Sequence, residues 1–222
     1  MKFRFLTSLV IAGCLAGTSA HAQIYMDGVD GKPIRESKYV DVQGTPYLQD
    51  EWAKGSIQMK IGKTFTDLML KYDMVEDAPL FKGKQGESIY FAEFPQAFTI
   101  TDLKDNHLQQ FRSGYKPVKG ATAQSYYEVL ADGKVQLLKR KVKVLREDKP
   151  YGSATTVRKI DENINYFIAK DGQPVNIKKS ERAVLEAIGD KNSELEAYIR
   201  SNKLNVKNDE DLIKLVAYYN GL

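Results

Sequence analysis

Tyr126-Tyr127-Glu128-Val129-Leu130, then Asp132-Gly133, then Val135-Gln136-Leu137-Leu138 reads as two strands joined by a turn. β-Branched and aromatic side chains favour extended backbone. An Asp-Gly pair supplies the positive φ values that a tight hairpin turn needs. The same pattern recurs where Asp171-Gly172 separates Asn165-Tyr166-Phe167-Ile168-Ala169 from Pro174-Val175-Asn176-Ile177. Upstream, Ser56-Ile57-Gln58-Met59-Lys60-Ile61 alternates polar and apolar residues, the two-residue period of a half-buried strand. Asp67 to Asp73 puts Leu68, Leu70 and Tyr72 on one face, and the segments Ser88 to Phe94 and Ala97 to Ile100 are rich in aromatic and β-branched residues. Pro95 between those two predicts a bend or an edge position. With no long helical pattern among them, these segments predict an antiparallel β body over residues 23–177, a curved sheet forming a sandwich or an incomplete barrel.

From residue 178 the period changes. Ser180 is placed to cap a helix holding Ala183, Val184, Leu185, Ala187 and Ile188, which Gly189 stops. Asn192 or Ser193 opens a second helix with Leu195, Tyr198 and Ile199 on one side, and Asn208 opens a third with Leu212, Leu215, Val216 and Tyr219. None is long enough to be stable alone. The prediction is an α+β fold in which residues 178–222 form a cap of three short helices on the sheet, within a single globular domain over 23–222.

The first residues are read separately. Lys2 and Arg4 make a basic start, an apolar run follows from Phe5 to Gly13, and Ala20-His21-Ala22 offers small residues at a cleavage site before Gln23. The run is well short of the roughly 20 residues that span a bilayer. Residues 1–22 are therefore expected to be a secretory signal cleaved between Ala22 and Gln23, giving a periplasmic or secreted protein. Ile11-Ala12-Gly13-Cys14 also has the form of a lipobox. In that alternative, acyl chains on Cys14 anchor the chain to the inner or outer membrane. No later apolar stretch approaches transmembrane length, so no transmembrane segment is expected.

Composition narrows the chemistry. The 222 residues are 42% hydrophobic and 28% charged, the balance of a globular chain rather than a disordered one. Losing Lys2 and Arg4 lowers the net charge of +4 by two. No strong field then steers the mature chain to nucleic acid. Beyond Cys14 there is no cysteine, so a hydrophobic core and not a disulfide framework must hold the fold. The single histidine of the mature chain, His107, lies in Thr101-Asp102-Leu103-Lys104-Asp105-Asn106, a polar loop signal. Zinc sites built from Cys and His are excluded, and no metal or other cofactor is expected. Asp27-Gly28-Val29-Asp30-Gly31-Lys32-Pro33 lacks the alternating oxygen ligands of a calcium loop, and no phosphate-binding glycine motif occurs. The basic stretch from Lys134 to Lys149 reads as the solvated face of a long hairpin arm.

Tyrosine is the unusual enrichment, with 13 residues. Tyr and Trp join an apolar ring to a polar tip and suit sugar or peptide clefts, although they also serve β cores and cross-strand pairs. Tyr47, Trp52, Tyr72, Tyr90 and Tyr126 are the candidate ligand-binding residues. Asp73, Glu76, Asp77, Glu87, Glu93 and Glu128 are the acids that a carboxylate-dependent glycan hydrolase would draw on, but no spacing marks a pair.

Gly44-Thr45-Pro46-Tyr47-Leu48 with Trp52 and Gly55, Lys71-Tyr72-Asp73, Tyr127-Glu128-Val129-Leu130, Lys178-Lys179-Ser180, Asp190-Lys191 and Tyr218-Tyr219-Asn220 together resemble a group of uncharacterised exported proteins of Bacteroidota. The resemblance implies a Gram-negative cell-envelope setting and carries over no catalytic residue. The reading from sequence is a non-catalytic binding or structural module whose partner is an envelope protein or a glycan. The alternatives are a carboxylate-dependent hydrolase acting on glycans, or a partner-docking module using the C-terminal helices. Mass spectrometry of the exported protein should find Gln23 at the N-terminus; an acylated Cys14 in its place would overturn cleavage at Ala22.

Overall fold

The structure, a computed structural model, describes residues 31–34, 36–149 and 156–222. The segment expected to be a secretory signal, with Cys14 and Ala22, lies outside the described residues, as does Gln23. The strands are β1 Gly31–Pro33, β2 Val42–Gln43, β3 Ala53–Gln58, β4 Thr64–Asp73, β5 Ala78–Lys82 and β6 Ser88–Phe91, followed by β7 Ala97–Thr101, β8 Leu108–Arg112, β9 Tyr127–Ala131, β10 Gln136–Asp148, β11 Val157–Lys170 and β12 Gln173–Ile177. Helices α1 Glu181–Ile188, α2 Asn192–Asn202 and α3 Asp209–Gly221 close the chain. The fold is α+β, as the residue patterns predict, with an open sheet.

The sheet runs β1-β6-β5-β4-β3-β7-β8-β9-β10-β11-β12, with β2 added to β11. All pairings are antiparallel except that of β2. From β3 onward the order departs from a simple meander once, because β7 pairs with β3 and not with β6. In a flat sheet, strands four places apart are separated by roughly 19 Å, about the full reach of the short link over 92–96. The sheet instead curls. Its inner face closes around Ile57, Leu68, Leu70, Tyr72, Phe91, Phe98, Ile100, Phe111 and Tyr126. Pro95 sits in this link, where its carbonyl accepts the Tyr126 hydroxyl at 2.6 Å.

The inner ends of β10 and β11 are covered on both faces, which explains why Leu137-Leu138 and Phe167-Ile168-Ala169 read as unbroken apolar runs. Leu137, Ile168 and Ile177 pack under the helices, against Val184, Leu185, Ile188, Leu195, Leu212 and Leu215. Leu138, Phe167 and Ala169 face the other way, onto Tyr115 and Tyr127. Ser180 caps α1 through Ala183, Gly189 ends it at φ 89°, and Asn208 caps α3 through Asp211. α2 starts from Lys191 in the left-handed region with no side-chain cap. Among the described residues no helix is long and apolar enough to cross a membrane.

The two Asp-Gly turns differ. Asp171 and Gly172 have φ 50° and 72°, the left-handed pair of a two-residue hairpin. The β9–β10 connection is wider and carries a bulge at Leu137/Leu138. The physical reason is Asn220 of α3, which fills the turn: it accepts from the Val135 N–H at 2.9 Å and donates to the Val135 and Asp132 carbonyls at 2.9 and 3.3 Å. A Cβ on Gly133 would lie 2.5 Å from the Asn220 side chain, so glycine is needed there for space.

The outer halves of β10 and β11 form the long arm, and its basic residues are mostly paired. Arg146 meets Asp161 at 2.8 Å and Lys159 meets Asp148 at 2.9 Å. The N-terminal lead, residues 36–48, crosses this arm. Arg158 donates to the carbonyls of Lys38 and Val40 at 3.1 Å each, and buried Lys143 donates to those of Thr45 and Tyr47 at 3.0 and 2.6 Å.

Asp209, the first residue of α3, ties cap to sheet. It accepts from Lys139 of β10 at 2.8 Å, Tyr166 of β11 at 2.7 Å and Lys179 at 2.6 Å. Burial alone would raise its pKa, but these three donors outweigh that and hold the carboxyl at about 2 against an ordinary 3.8. A lowered carboxyl stabilises the fold above its unfolded pKa and stops doing so as pH falls through the folded value. Asp209→Asn should therefore cost about 1–2 kcal/mol at neutral pH, discounted for partial exposure. In urea titrations the gap to the parent should close towards about pH 2. Equal stability at neutral pH would show that the ties are incidental.

Candidate functional site

β4 separates two environments by the strand period. Leu68, Leu70 and Tyr72 point into the core, while Lys71 and Asp73 point outward. The outer face gathers Tyr47, Trp52 and Tyr90, three of the five candidate residues. Trp52 enters β3 beside Lys71, since the next pair along is Ala53 with Leu70. Tyr47 reaches β4 from the lead, through a bridge to Asp73 secured by the Leu48 N–H on the Tyr72 carbonyl at 2.9 Å and the Met74 N–H on the Pro46 carbonyl at 2.9 Å. The Lys71 ammonium lies over both rings, 5.0 Å from the Tyr47 centroid and 5.1 Å from that of Trp52. A cation over an aromatic face at this range is attracted by the ring quadrupole.

Asp73 sits behind this clasp and is 0% exposed. One carboxyl oxygen accepts the hydroxyls of Tyr39 and Tyr90, each at 2.8 Å. The other accepts the N–H groups of Val75 and Glu76 at 2.9 and 3.0 Å. Burial, reinforced by the negative charge and bonding of Asp73, pushes both tyrosine pKa values well above the ordinary range, so both remain donors. Tyr39 packs edge-on against Tyr47 at 6.2 Å, which makes Tyr90, Asp73, Tyr39, Tyr47, Lys71 and Trp52 one connected chain across the face. Sequence reasoning missed Tyr39 and Lys71. The alternation of β4 could have paired Lys71 with Asp73, but only the folded lead brings Tyr39 to them.

Tyr72 and Tyr126 are corrected from ligand-binding candidates to core residues, 2% and 1% exposed. Both belong to the aromatic cluster: Tyr72 is 5.1 Å from Phe98 and from Phe111, and Tyr126 stacks on Phe94 at 5.6 Å. The Tyr72 hydroxyl donates to Asp77 at 2.5 Å; burial first, then the Asp77 charge, raises its pKa. Asp77 also receives Arg140 at 2.8 Å and the Tyr126 N–H at 3.3 Å.

The remaining acids are scattered or occupied. Glu76 is paired with Lys38. Glu87 caps the Gln85 N–H at 2.8 Å, and Glu93 is exposed. Glu128 on β9 has a pKa raised by burial. A recess of about 210 Å³ lined by Glu76, Ala78, Pro79, Tyr90, Phe91, Phe94 and Pro95 opens beside Tyr90. It is smaller than the roughly 300–1,000 Å³ of typical small-molecule pockets. Asp102, Asp105 and His107 bring ligand-type atoms within 4.8 Å of one another in the β7–β8 turn. Two of these groups already serve the turn: Asp102 accepts the Lys104 N–H at 2.8 Å, and Asp105 accepts the His107 N–H at 3.1 Å.

No protein-family model matches the chain, and neither a curated protein nor a solved structure does. The functional argument rests on this geometry. Because Asp73 carries four donors in a buried position, Asp73→Asn should lower stability by roughly 2–4 kcal/mol, and Tyr90→Phe by about 1 kcal/mol. Chemical denaturation at neutral pH checks both; an unchanged Asp73→Asn midpoint would remove Asp73 as the anchor of this face.

Proposed function

We propose that the protein is an exported component of a Gram-negative cell envelope that binds a glycan on the outer face of its sheet without transforming it. The observation that carries this reading is the half-exposed clasp of Tyr47 and Trp52 around Lys71. Aromatic rings present flat apolar surface to the C–H faces of a sugar and keep a polar tip for its hydroxyls. Trp52 stands immediately before β3 and Tyr47 is bridged to Asp73 of β4, so both rings are held against the sheet. The small volume of the neighbouring recess favours an open platform, which suits a polymer lying across the surface more than a small molecule enclosed in a cavity.

The acids support holding over turnover. Glycoside hydrolysis needs two carboxyls facing each other across the scissile bond. Asp73 and Asp77 are instead engaged by tyrosine hydroxyls, backbone N–H groups and Arg140, and Glu76 by Lys38. The expected secretory signal and the resemblance to exported Bacteroidota proteins supply the envelope setting, free in the periplasm or medium, or anchored through Cys14.

Trp52 is the single tryptophan, so its emission reports directly on this face. Titration of the mature protein with a panel of envelope and plant polysaccharides should give a saturable change in Trp52 emission. Trp52→Ala should lose retention in polysaccharide-containing gels. Release of reducing ends at enzymatic rates, or a Trp52 spectrum indifferent to every polysaccharide, would overturn the proposal.

A further inference from the structure

Lys71 is an unusual cation in this molecule. Most of the other half-buried cations among the described residues have carboxylates: Arg112 has Asp132, Lys139 and Lys179 share Asp209, Arg140 has Asp77, and Lys159 has Asp148. Lys71 has two aromatic rings instead, and among the described residues no carboxylate lies within ion-pair distance of it. Lys141 on the arm also lacks such a carboxylate, but no ring is placed against it. Three acids of the segments around Lys71 have partners of their own. Asp73 is buried under four donors, Glu76 is paired with Lys38, and Asp50 accepts the Thr45 hydroxyl. Two exposed lysines share the outer face: Lys54, opposite Met69, and Lys32, opposite Tyr90.

We infer that the ligand of this face is an acidic polysaccharide, one whose sugar ring stacks on Trp52 while its carboxylate pairs with Lys71. The inference rests on the glycan-binding reading above and specifies its ligand class. A uronic acid presents an apolar ring face and, at the ring's edge, a carboxylate, the two features this clasp can engage together. A neutral sugar would use the rings and leave the lysine charge without an anion. A carboxylate held by an ammonium forms a charge-assisted bond, stronger than a bond between neutral groups.

Affinity gel electrophoresis and calorimetry of the mature protein test this with matched probes: polygalacturonate and its fully methyl-esterified form, with alginate and hyaluronate as further acidic chains and dextran as a neutral one. Acidic chains should bind at least about tenfold more tightly than the ester or dextran, and more weakly as salt rises. Lys71→Met, which keeps the aliphatic stem, should bring polygalacturonate down to the level of its ester. Lys71→Arg should retain the preference, showing that charge and not folding was lost in Lys71→Met. Equal binding of acid and ester with Lys71→Met unaffected would overturn the acidic specificity and leave glycan binding standing. Retention by none of the five polymers would overturn both.

Discussion

A single buried negative charge organises the outer face. Removing a carboxylate from water costs several kcal/mol unless fixed donors replace the lost hydration. Asp73 has four, and they come from three places in the chain: Tyr39 in the lead, Val75 and Glu76 in the turn after β4, and Tyr90 in β6. The charge is therefore tolerated only when lead, turn and β6 converge. That requirement seats the lead against the end of β4. The seated lead in turn carries Tyr47 to Lys71, where Trp52 already waits on β3. The clasp of Tyr47 and Trp52 around Lys71 is thus a consequence of satisfying Asp73.

The same logic, with the charges reversed, fastens the other side of the lead. Arg158 and Lys143 of the arm donate to backbone carbonyls at 38, 40, 45 and 47. Burial lowers the pKa of Lys143, as expected for an ammonium whose hydration is replaced mainly by carbonyls. The lead has little apolar surface of its own to bury, apart from Pro46, Leu48 and its tyrosines, so directed polar contacts hold it. The helical cap uses both kinds of glue. Apolar stripes on α1 and α3 meet the sheet, α2 packs on α3, and Asp209 and Asn220 fix where α3 sits on the sheet.

Legibility tracks the range of the interaction. Ser180, Gly189 and Asn208 mark helix ends because capping is settled within one turn of chain. The alternation in β4 is legible because a half-buried strand repeats every two residues. β5 was not, since Pro79 within a short run argues against a strand, nor was β8, where Leu108-Gln109-Gln110-Phe111-Arg112 shows little apolar content. The wide β9–β10 turn was missed because Asn220, far along the chain, reshapes it. Tyr72 and Tyr126 illustrate the limit of composition: a tyrosine suits a cleft and a core equally well, and only its neighbours separate the two.

Residue pattern alone determines the antiparallel body, the capping helices and, with one cysteine, the lack of a disulfide framework within the chain, because strand period, helix caps and cysteine count are local properties. Tertiary structure decides the rest: the jump from β6 to β7 that curls the sheet, the sorting of five aromatic candidates into two core residues and three surface ones, and the meeting of Tyr39, Asp73 and Tyr90. Those outcomes depend on contacts between segments distant in sequence, whose free energy exists only once both sides are folded.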